Sequence, residues 1–178
     1  MAKLIQGKVV VPGRIRLEGN SETRPSPGAM RHAGEQPAAS GNLLASDEPL
    51  SFWGGYDPHS GEIIDRLHPL SGCCAKGCIL ALPSSRGSST TTAVFLETVL
   101  NNTAPAAILT LGVVLFFTLA SIVADEMLAK PVPILAFEAQ PYRQLQNYDY
   151  AQVFANGEIH LHKIAQPNRF DHLFDTIE

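Results

Sequence analysis

Short apolar runs and helix-like segments alternate between residues 78 and 137, and this alternation constrains the fold more than any other feature of the chain. Residues 78–82, 106–109 and 133–137 are apolar and have the length of buried strands. Residues 91–100 place apolar side chains at helical spacing, and residues 121–128 indicate a second helix. Because alternating strands and helices pack as a sheet covered by helices, the sequence predicts an α/β fold.

Both ends of the chain add shorter β signals. Residues 5–12 and 15–18 predict two strands separated by a Pro-Gly break, and residues 63–65 predict another. Asn156-Gly157 lies between residues 150–154 and 158–162 and is the strongest hairpin signal in the chain. His160 and His162 share one face of the second hairpin strand, where we expect solvent exposure.

Two segments lack any periodicity. Residues 20–41 are rich in Ser, Pro, Gly, Ala and charged groups, which predicts a mobile surface insertion. Residues 166–178 are charged and irregular, as in a frayed tail. The remainder of residues 1–165 is predicted to form one domain, since 178 residues with 45% hydrophobic composition can bury one ordinary core.

Charge and hydropathy restrict the function classes. The net charge is −4 and no basic patch is interleaved with aromatics, so a nucleic-acid partner is not expected. The N-terminus lacks a signal-peptide pattern, which favours the cytoplasm. Residues 104–124 carry no charge and are long enough for a bilayer span, but Pro105, Gly112 and the lack of a flanking basic cluster favour a buried strand followed by a buried helix. A small membrane protein is the alternative.

The three cysteines, Cys73, Cys74 and Cys78, are clustered and odd in number. A disulfide framework would have an even, dispersed set, so reduced thiols are expected. The spacing does not match the Cys-x2-Cys pairs of structural zinc sites. The sequence therefore assigns no metal ligand to this chain.

A turn rich in hydroxyls follows the strand at residues 78–82. Gly87 permits close backbone approach, and the start of the following helix attracts anions. Arg86 can hold a carboxylate with two parallel hydrogen bonds, and a Ser88 alkoxide in such a field could remove a carbon-bound proton. The alternative is a plain helix N-cap in which Ser88 or Ser89 satisfies backbone amides.

Residues 51–57 form a second candidate segment, with aromatic side chains on either side of two glycines. Trp53, Tyr56 and Asp57 could line a pocket for a small ring, with Asp57 exposed to hydrogen-bond the ligand. Packing is the alternative, and it is preferred for Phe52.

Asp65 and His68 follow in a stretch where a pocket role is conceivable. A surface ion pair of Asp65 with Arg66 or His68 is the favoured interpretation.

Four ordered motifs between residues 41 and 137 resemble the small subunit, or swivel domain, of aconitase X. They are residues 48–58, residues 61–66 with His68-Pro69, Leu82-Pro83 with Arg86-Gly87-Ser88-Ser89, and residues 104–108. The resemblance implies an aconitase-like swivel β/β/α domain with short flanking helices. It also implies a large subunit that supplies an iron or iron–sulfur centre, and the dehydration of a hydroxylated carboxylic acid.

The resemblance further implies roles for individual residues. Ser88 matches the proton-abstracting base, and the other matched positions would bind substrate: Arg86, Gly87, Ser89, Ser51, Trp53, Gly54, Gly55 and Asp57. The sequence around Trp53 and Tyr56 resembles that of cis-3-hydroxy-L-proline dehydratases, which makes this hydroxy acid the preferred substrate. The alternatives are the small subunit of a phosphomevalonate dehydratase and an inactive swivel-fold binding module, the latter because residues 111–117 replace a more polar connection.

Overall fold

The computed structural model describes residues 10–12, 14–17 and 36–164. The strands in these ranges are β1 (Val10–Pro12), β2 (Arg14–Leu17), β3 (Ala39–Ala45), β4 (Ile79–Leu82), β5 (Ala107–Leu111), β6 (Ile134–Phe137), β7 (Tyr150–Val153) and β8 (Glu158–His162). The helices are α1 (Phe52–Gly55), α2 (Thr90–Leu100), α3 (Leu115–Leu128) and α4 (Ala139–Gln144), and a 3-10 turn covers Leu145–Asn147. The insertion predicted from residue 20 through residue 35 and the tail predicted at residues 166–178 lie outside the described residues.

The strands form one mixed sheet in the order β1-β6-β5-β4-β3-β7-β8-β2. The pairs from β1 to β3 are parallel, whereas β3 with β7 and β7 with β8 are antiparallel. Only residue 13 separates β1 from β2, although these strands stand at opposite ends of that order. Since consecutive Cα atoms are about 3.8 Å apart, the two edges approach within about 8 Å at this point, and the sheet must curl on itself.

The curl creates two hydrophobic cores, one on each face of the parallel strands. Along β4, Ile79 and Ala81 face the interior of the curl, and Leu80 and Leu82 face the helices. All four side chains are buried, which is why this strand is a continuous apolar run in the sequence. The predicted α/β class is confirmed.

Helices α2 and α3 cover the outer face of the parallel strands. The buried side chains of α2 recur at helical spacing: Thr91, Val94, Phe95, Thr98 and Val99. Helix α3 begins at Leu115, six residues before the predicted start, because Phe117 and Ala120 continue its buried face. The uncharged segment at residues 104–124 therefore contains the predicted buried strand and helix, but the helix is buried on one face only, since Leu115, Leu119 and Ile122 are exposed. In the described ranges, none of the helices has the length and apolar content that a bilayer crossing requires.

Three sequence predictions are wrong in detail. Residues 39–41, assigned to the insertion, belong to β3, where Ala39 pairs with Val153 across the antiparallel junction. Residues 63–65 form a loop rather than a strand, with Ile63 in an isolated bridge and buried in the helix-side core. His160 and His162 are buried, because β8 has neighbours on both sides and its face is enclosed by the curl.

Candidate functional site

The turn at residues 83–89 connects β4 to α2 at the carboxyl end of the parallel strands. Gly87 has φ +140°, a conformation that side-chain-bearing residues rarely adopt. A Cβ at this position would lie 3.0 Å from Thr91 Oγ1 and 3.8 Å from Ser51 Oγ. The backbone angle requires glycine, and the Thr91 side chain leaves little room for a Cβ.

Arg86 is held against the second candidate segment. Its backbone N–H donates to Leu50 O at 2.9 Å, and its Nη2 donates to Pro49 O at 3.0 Å. Ser85 also forms a parallel bridge with Leu50. A guanidinium has five N–H donors, so the bond to Pro49 fixes its position and still permits a two-pronged contact with a carboxylate.

The hydroxyls predicted as possible helix caps do not act as caps. Ser89 occupies the N-cap position of α2 without a side-chain cap hydrogen bond, and Ser88 Oγ lies 3.0 Å from Thr90 Oγ1. The amides of Thr91 and Thr92 already donate to the carbonyls of Ser88 and Ser89. An anion would therefore meet the amides that precede Thr91, at the positive end of the helix dipole. Both serines are exposed.

The segment at residues 51–57 divides into core and surface residues. Phe52 is fully buried, stacks on Tyr56 at 4.7 Å between ring centroids, and contacts Phe117 at 5.2 Å. The predicted packing role of Phe52 is confirmed. Tyr56 is also buried and donates its hydroxyl to Thr103 O at 2.8 Å, so the hypothesis that it lines a substrate pocket is wrong. Burial raises the pKa of the Tyr56 phenol.

Ser51 and Trp53 remain at the surface beside the turn. Ser51 Oγ donates to Trp53 O at 2.9 Å, and the Trp53 side chain is 69% exposed. Gly54, at φ +73°, redirects the chain after Trp53, and Gly55 is buried with Leu50 3.2 Å from where its Cβ would be.

Asp57 uses its carboxylate within its own turn. It accepts hydrogen bonds from Ser60 Oγ at 2.5 Å and from the His59 amide at 3.0 Å. The Ser60 hydroxyl is the main reason that the pKa of Asp57 is lowered, and the His59 amide is the second. These contacts do not test the predicted role of Asp57 in ligand binding, which stays a prediction.

Of the two surface ion pairs predicted for Asp65, the one with His68 does not form, because His68 is buried. Asp65 Oδ1 accepts from the Leu67 amide at 3.0 Å. His68 is only 4% exposed, and its Nε2 lies 3.1 Å from Glu48 O. A lone histidine followed by proline gives no sequence signal for this buried contact.

The described residues do not fit an iron or iron–sulfur centre. Among residues 36–164 and the two short N-terminal strands, no three His, Cys, Asp or Glu side chains are grouped closely enough to hold a metal ion. Cys73, Cys74 and Cys78 are not joined by disulfides, and the thiols of the last two donate to backbone carbonyls.

Fold and turn together define a curled α/β domain that presents a glycine-bearing, hydroxyl-rich turn with Arg86 at the carboxyl edge of its parallel strands. The chain belongs to the aconitase X swivel domain family, whose model matches residues 30–161. The aconitase-like swivel fold predicted from the motifs is thereby confirmed.

Relatives and solved structures agree with this family. The cis-3-hydroxy-L-proline dehydratase of Pseudomonas aeruginosa is 44% identical over 130 residues, which cover 73% of this chain and 22% of the relative. The phosphomevalonate dehydratase small subunit of Methanosarcina mazei is 32% identical over 120 residues, covering 67% of this chain and 78% of that subunit. The holo-form of Thermococcus kodakaraensis aconitase X matches with a TM-score of 0.50 at 28% identity, over 57% of this chain and 76% of that one. The chain thus spans about a fifth of the hydroxyproline dehydratases it matches.

Proposed function

We propose that this chain is the swivel part of a hydro-lyase that removes water from a hydroxylated carboxylic acid, with cis-3-hydroxy-L-proline as the preferred substrate. The observation that carries the proposal is the turn at residues 83–89, where Arg86 is fixed by two carbonyls and Ser88 stays exposed at a helix N-terminus. The alignment with a hydroxyproline dehydratase, 44% identical over 130 residues, is longer than the one with a phosphomevalonate dehydratase small subunit, 46% identical over 72 residues, and this supports the preferred substrate.

The turn supports a division of roles between its side chains. Arg86, with Gly87 and Ser89, binds the substrate carboxylate and thereby places the adjacent carbon near Ser88. Ser88 Oγ, as the alkoxide, removes the proton on that carbon, and the electron pair of the broken C–H bond forms the new double bond while the hydroxyl on the next carbon leaves. The proton and the hydroxide together make up the water that is lost. Trp53 lies exposed on the neighbouring segment and would contact the ring of the substrate.

The rest of the active site would come from a large subunit, in which we place the iron or iron–sulfur centre. The relatives named small subunits support such a partner, as does the share of the dehydratases that this chain does not cover. Activation of the leaving hydroxyl is accordingly assigned to the partner and not to any residue of this chain.

Exposed apolar side chains next to the turn suggest where the large subunit docks. Val113 and Leu115 are 70% and 68% exposed, and the neighbouring Leu111 amide donates to Pro83 O at the base of the turn. Strands β4 and β5 are parallel neighbours, so the loops that follow them share one edge of the sheet. A partner that completes the site must cover this edge and would bury these side chains.

A pair of variants on α3 tests this surface. Leu115→Glu places a charge at the proposed interface and is expected to abolish co-purification with the cognate large subunit. Met127→Glu, on a side chain that is 77% exposed in the last turn of the same helix, is the matched control and should leave the complex intact. Light scattering of this chain alone should give a monomer, and a dimer dispersed by Leu115→Glu would assign the surface to self-association instead.

The function itself is tested on the assembled complex with two substrates. We expect water elimination from cis-3-hydroxy-L-proline, measured as product by mass spectrometry, and none from phosphomevalonate. Elimination from phosphomevalonate alone would reassign the substrate. A stable complex that acts on neither compound would favour the binding module that has lost catalysis.

A further inference from the structure

A buried histidine stands directly behind the segment that holds Arg86. His68 is 4% exposed, and both of its ring nitrogens have partners. The Leu70 amide donates to Nδ1 at 3.2 Å, and Nε2 lies 3.1 Å from Glu48 O and 3.4 Å from Ser46 Oγ. The division of roles in the preceding section gives this side chain no part.

These partners assign the tautomer of the ring. A backbone amide can only donate, so Nδ1 of His68 accepts from Leu70 and carries no proton. The proton of the neutral ring is then on Nε2, which donates to Glu48 O as its nearer acceptor. The ring thus links the loop around Leu70 to the carbonyl of Glu48.

Glu48 immediately precedes the two carbonyls that fix Arg86. Pro49 O accepts from the guanidinium and Leu50 O accepts from the Arg86 amide. The contact from His68 to Glu48 O is therefore one residue away from the first of these acceptors, in a segment where Glu48 itself is exposed.

The start of the same segment is anchored separately. The Ser46 amide donates to Ala81 O at 3.0 Å, and Ser46 O accepts from the Tyr142 hydroxyl at 2.8 Å. These bonds tie Ser46 to β4 and α4. Ser46 Oγ in turn accepts from the Glu48 amide at 2.9 Å and lies 3.3 Å from Glu48 O, so loss of the His68 contact would remove the nearer donor from Glu48 O and loosen the path to Leu50 without detaching its beginning.

We propose that His68 is a positioning residue for Arg86, acting through the Glu48 carbonyl to hold the Pro49 and Leu50 acceptors in place. The proposal rests on the proposed role of Arg86 in binding the substrate carboxylate. Substitution of such a residue weakens the binding of the substrate carboxylate by Arg86 and does not alter Ser88, the proposed base.

Two conservative variants separate this role from simple packing. Glutamine can place a donor where Nε2 of His68 stands, and asparagine can place an acceptor where Nδ1 stands. We expect His68→Asn, which loses the bond to Glu48 O, to raise KM for cis-3-hydroxy-L-proline about fivefold with kcat within about twofold of wild type. We expect His68→Gln to retain a KM close to wild type. His59→Asn, at an exposed histidine, is the control and should change neither constant.

A double-mutant cycle in the assembled dehydratase decides whether the effect passes through Arg86. In the Arg86→Ala background, His68→Asn should raise KM no further, because the group that it positions is gone. Additive effects of the two substitutions would overturn the proposal, and so would an equal loss of kcat in the asparagine and glutamine variants.

An independent readout on the full chain does not depend on turnover. The side-chain Nε–H signal of Arg86 in a 1H–15N spectrum should be sharp and dispersed in wild type and His68→Gln, and averaged in His68→Asn. An Arg86 signal that His68→Asn leaves unchanged would refute the positioning role. If the spectra behave as expected and the complex does not dehydrate hydroxyproline, the failure lies with the proposed function and not with the role of His68.

Discussion

Gly87→Ala tests the geometry of the candidate turn directly, because it adds one methyl group at a known place. Gly87 has φ +140°, and the added Cβ would lie 3.0 Å from Thr91 Oγ1. Thr91 is fully buried and its hydroxyl has no hydrogen-bond partner in the described part of the chain. The side chain that would have to give way is thus enclosed by the core.

The size of the effect follows from these two contributions. A non-glycine residue in such a backbone conformation costs about 1–3 kcal/mol, and the crowded contact with Thr91 adds to that cost. About 1 kcal/mol lowers the melting temperature of a chain of this size by about 2–4 °C. We therefore expect Gly87→Ala to lower the free energy of unfolding in urea by at least about 1 kcal/mol, with an unchanged dependence on denaturant.

Two comparisons isolate the contributions to this effect. Gly54→Ala has φ +73° with nothing within 4 Å of the new Cβ, so it should show the cost of positive φ alone, about 1–2 kcal/mol. In a Thr91→Ala background, Gly87→Ala should lose the part of its cost that comes from the contact. A Gly87→Ala chain as stable as wild type would refute the positive φ and the close packing of the turn.

Three further predictions concern the segment beside the turn. Phe52→Ala removes a fully buried ring and should cost about 3–5 kcal/mol of unfolding free energy in a urea titration. Tyr56→Phe leaves Thr103 O without its buried hydrogen-bond donor and should cost about 1–2 kcal/mol of unfolding free energy. Because burial raises the pKa of the Tyr56 phenol, the neutral phenol contributes its full stability below about pH 10 and loses it at higher pH. Alkaline unfolding followed at 295 nm would show this loss. Ser60→Ala removes the main hydrogen bond that lowers the pKa of Asp57, so an NMR titration should show that carboxyl ionising at higher pH than in wild type.

The strands and helices that the sequence predicted well are those specified by local pattern. Strands β4, β5 and β6 are mostly apolar because side chains on both of their faces are largely buried, and such runs are visible in a single sequence. The hairpin of β7 and β8 was predictable for the same reason, since Asn156-Gly157 marks its turn. In contrast, the pairing of β1 with β6 and of β2 with β8, which places two consecutive strands at opposite ends of the sheet order, depends on partners far along the chain, and no local pattern indicates it.

The candidate site was predictable in its residue types and not in its contacts. Gly87 and the hydroxyls around it suggested an anion site, but nothing near Arg86 in the sequence indicates that carbonyls at Pro49 and Leu50 hold it. The sequence predicts His68 in a surface ion pair and His160 on a solvent-exposed strand face shared with His162. Both side chains are buried, because the curl of the sheet and the packing of loops are not visible in the local sequence.

The central claim is that Ser88 is the base of a dehydratase completed by a large subunit, and the rate of water elimination by the assembled complex tests it most directly. Ser88→Ala is expected to lower kcat for cis-3-hydroxy-L-proline by about 10²–10⁴-fold with KM little changed, because the variant loses the proton acceptor and retains Arg86. Ser89→Ala, in the same turn, should instead raise KM. A Ser88→Ala complex that dehydrates the substrate as fast as wild type would contradict the assignment of the base.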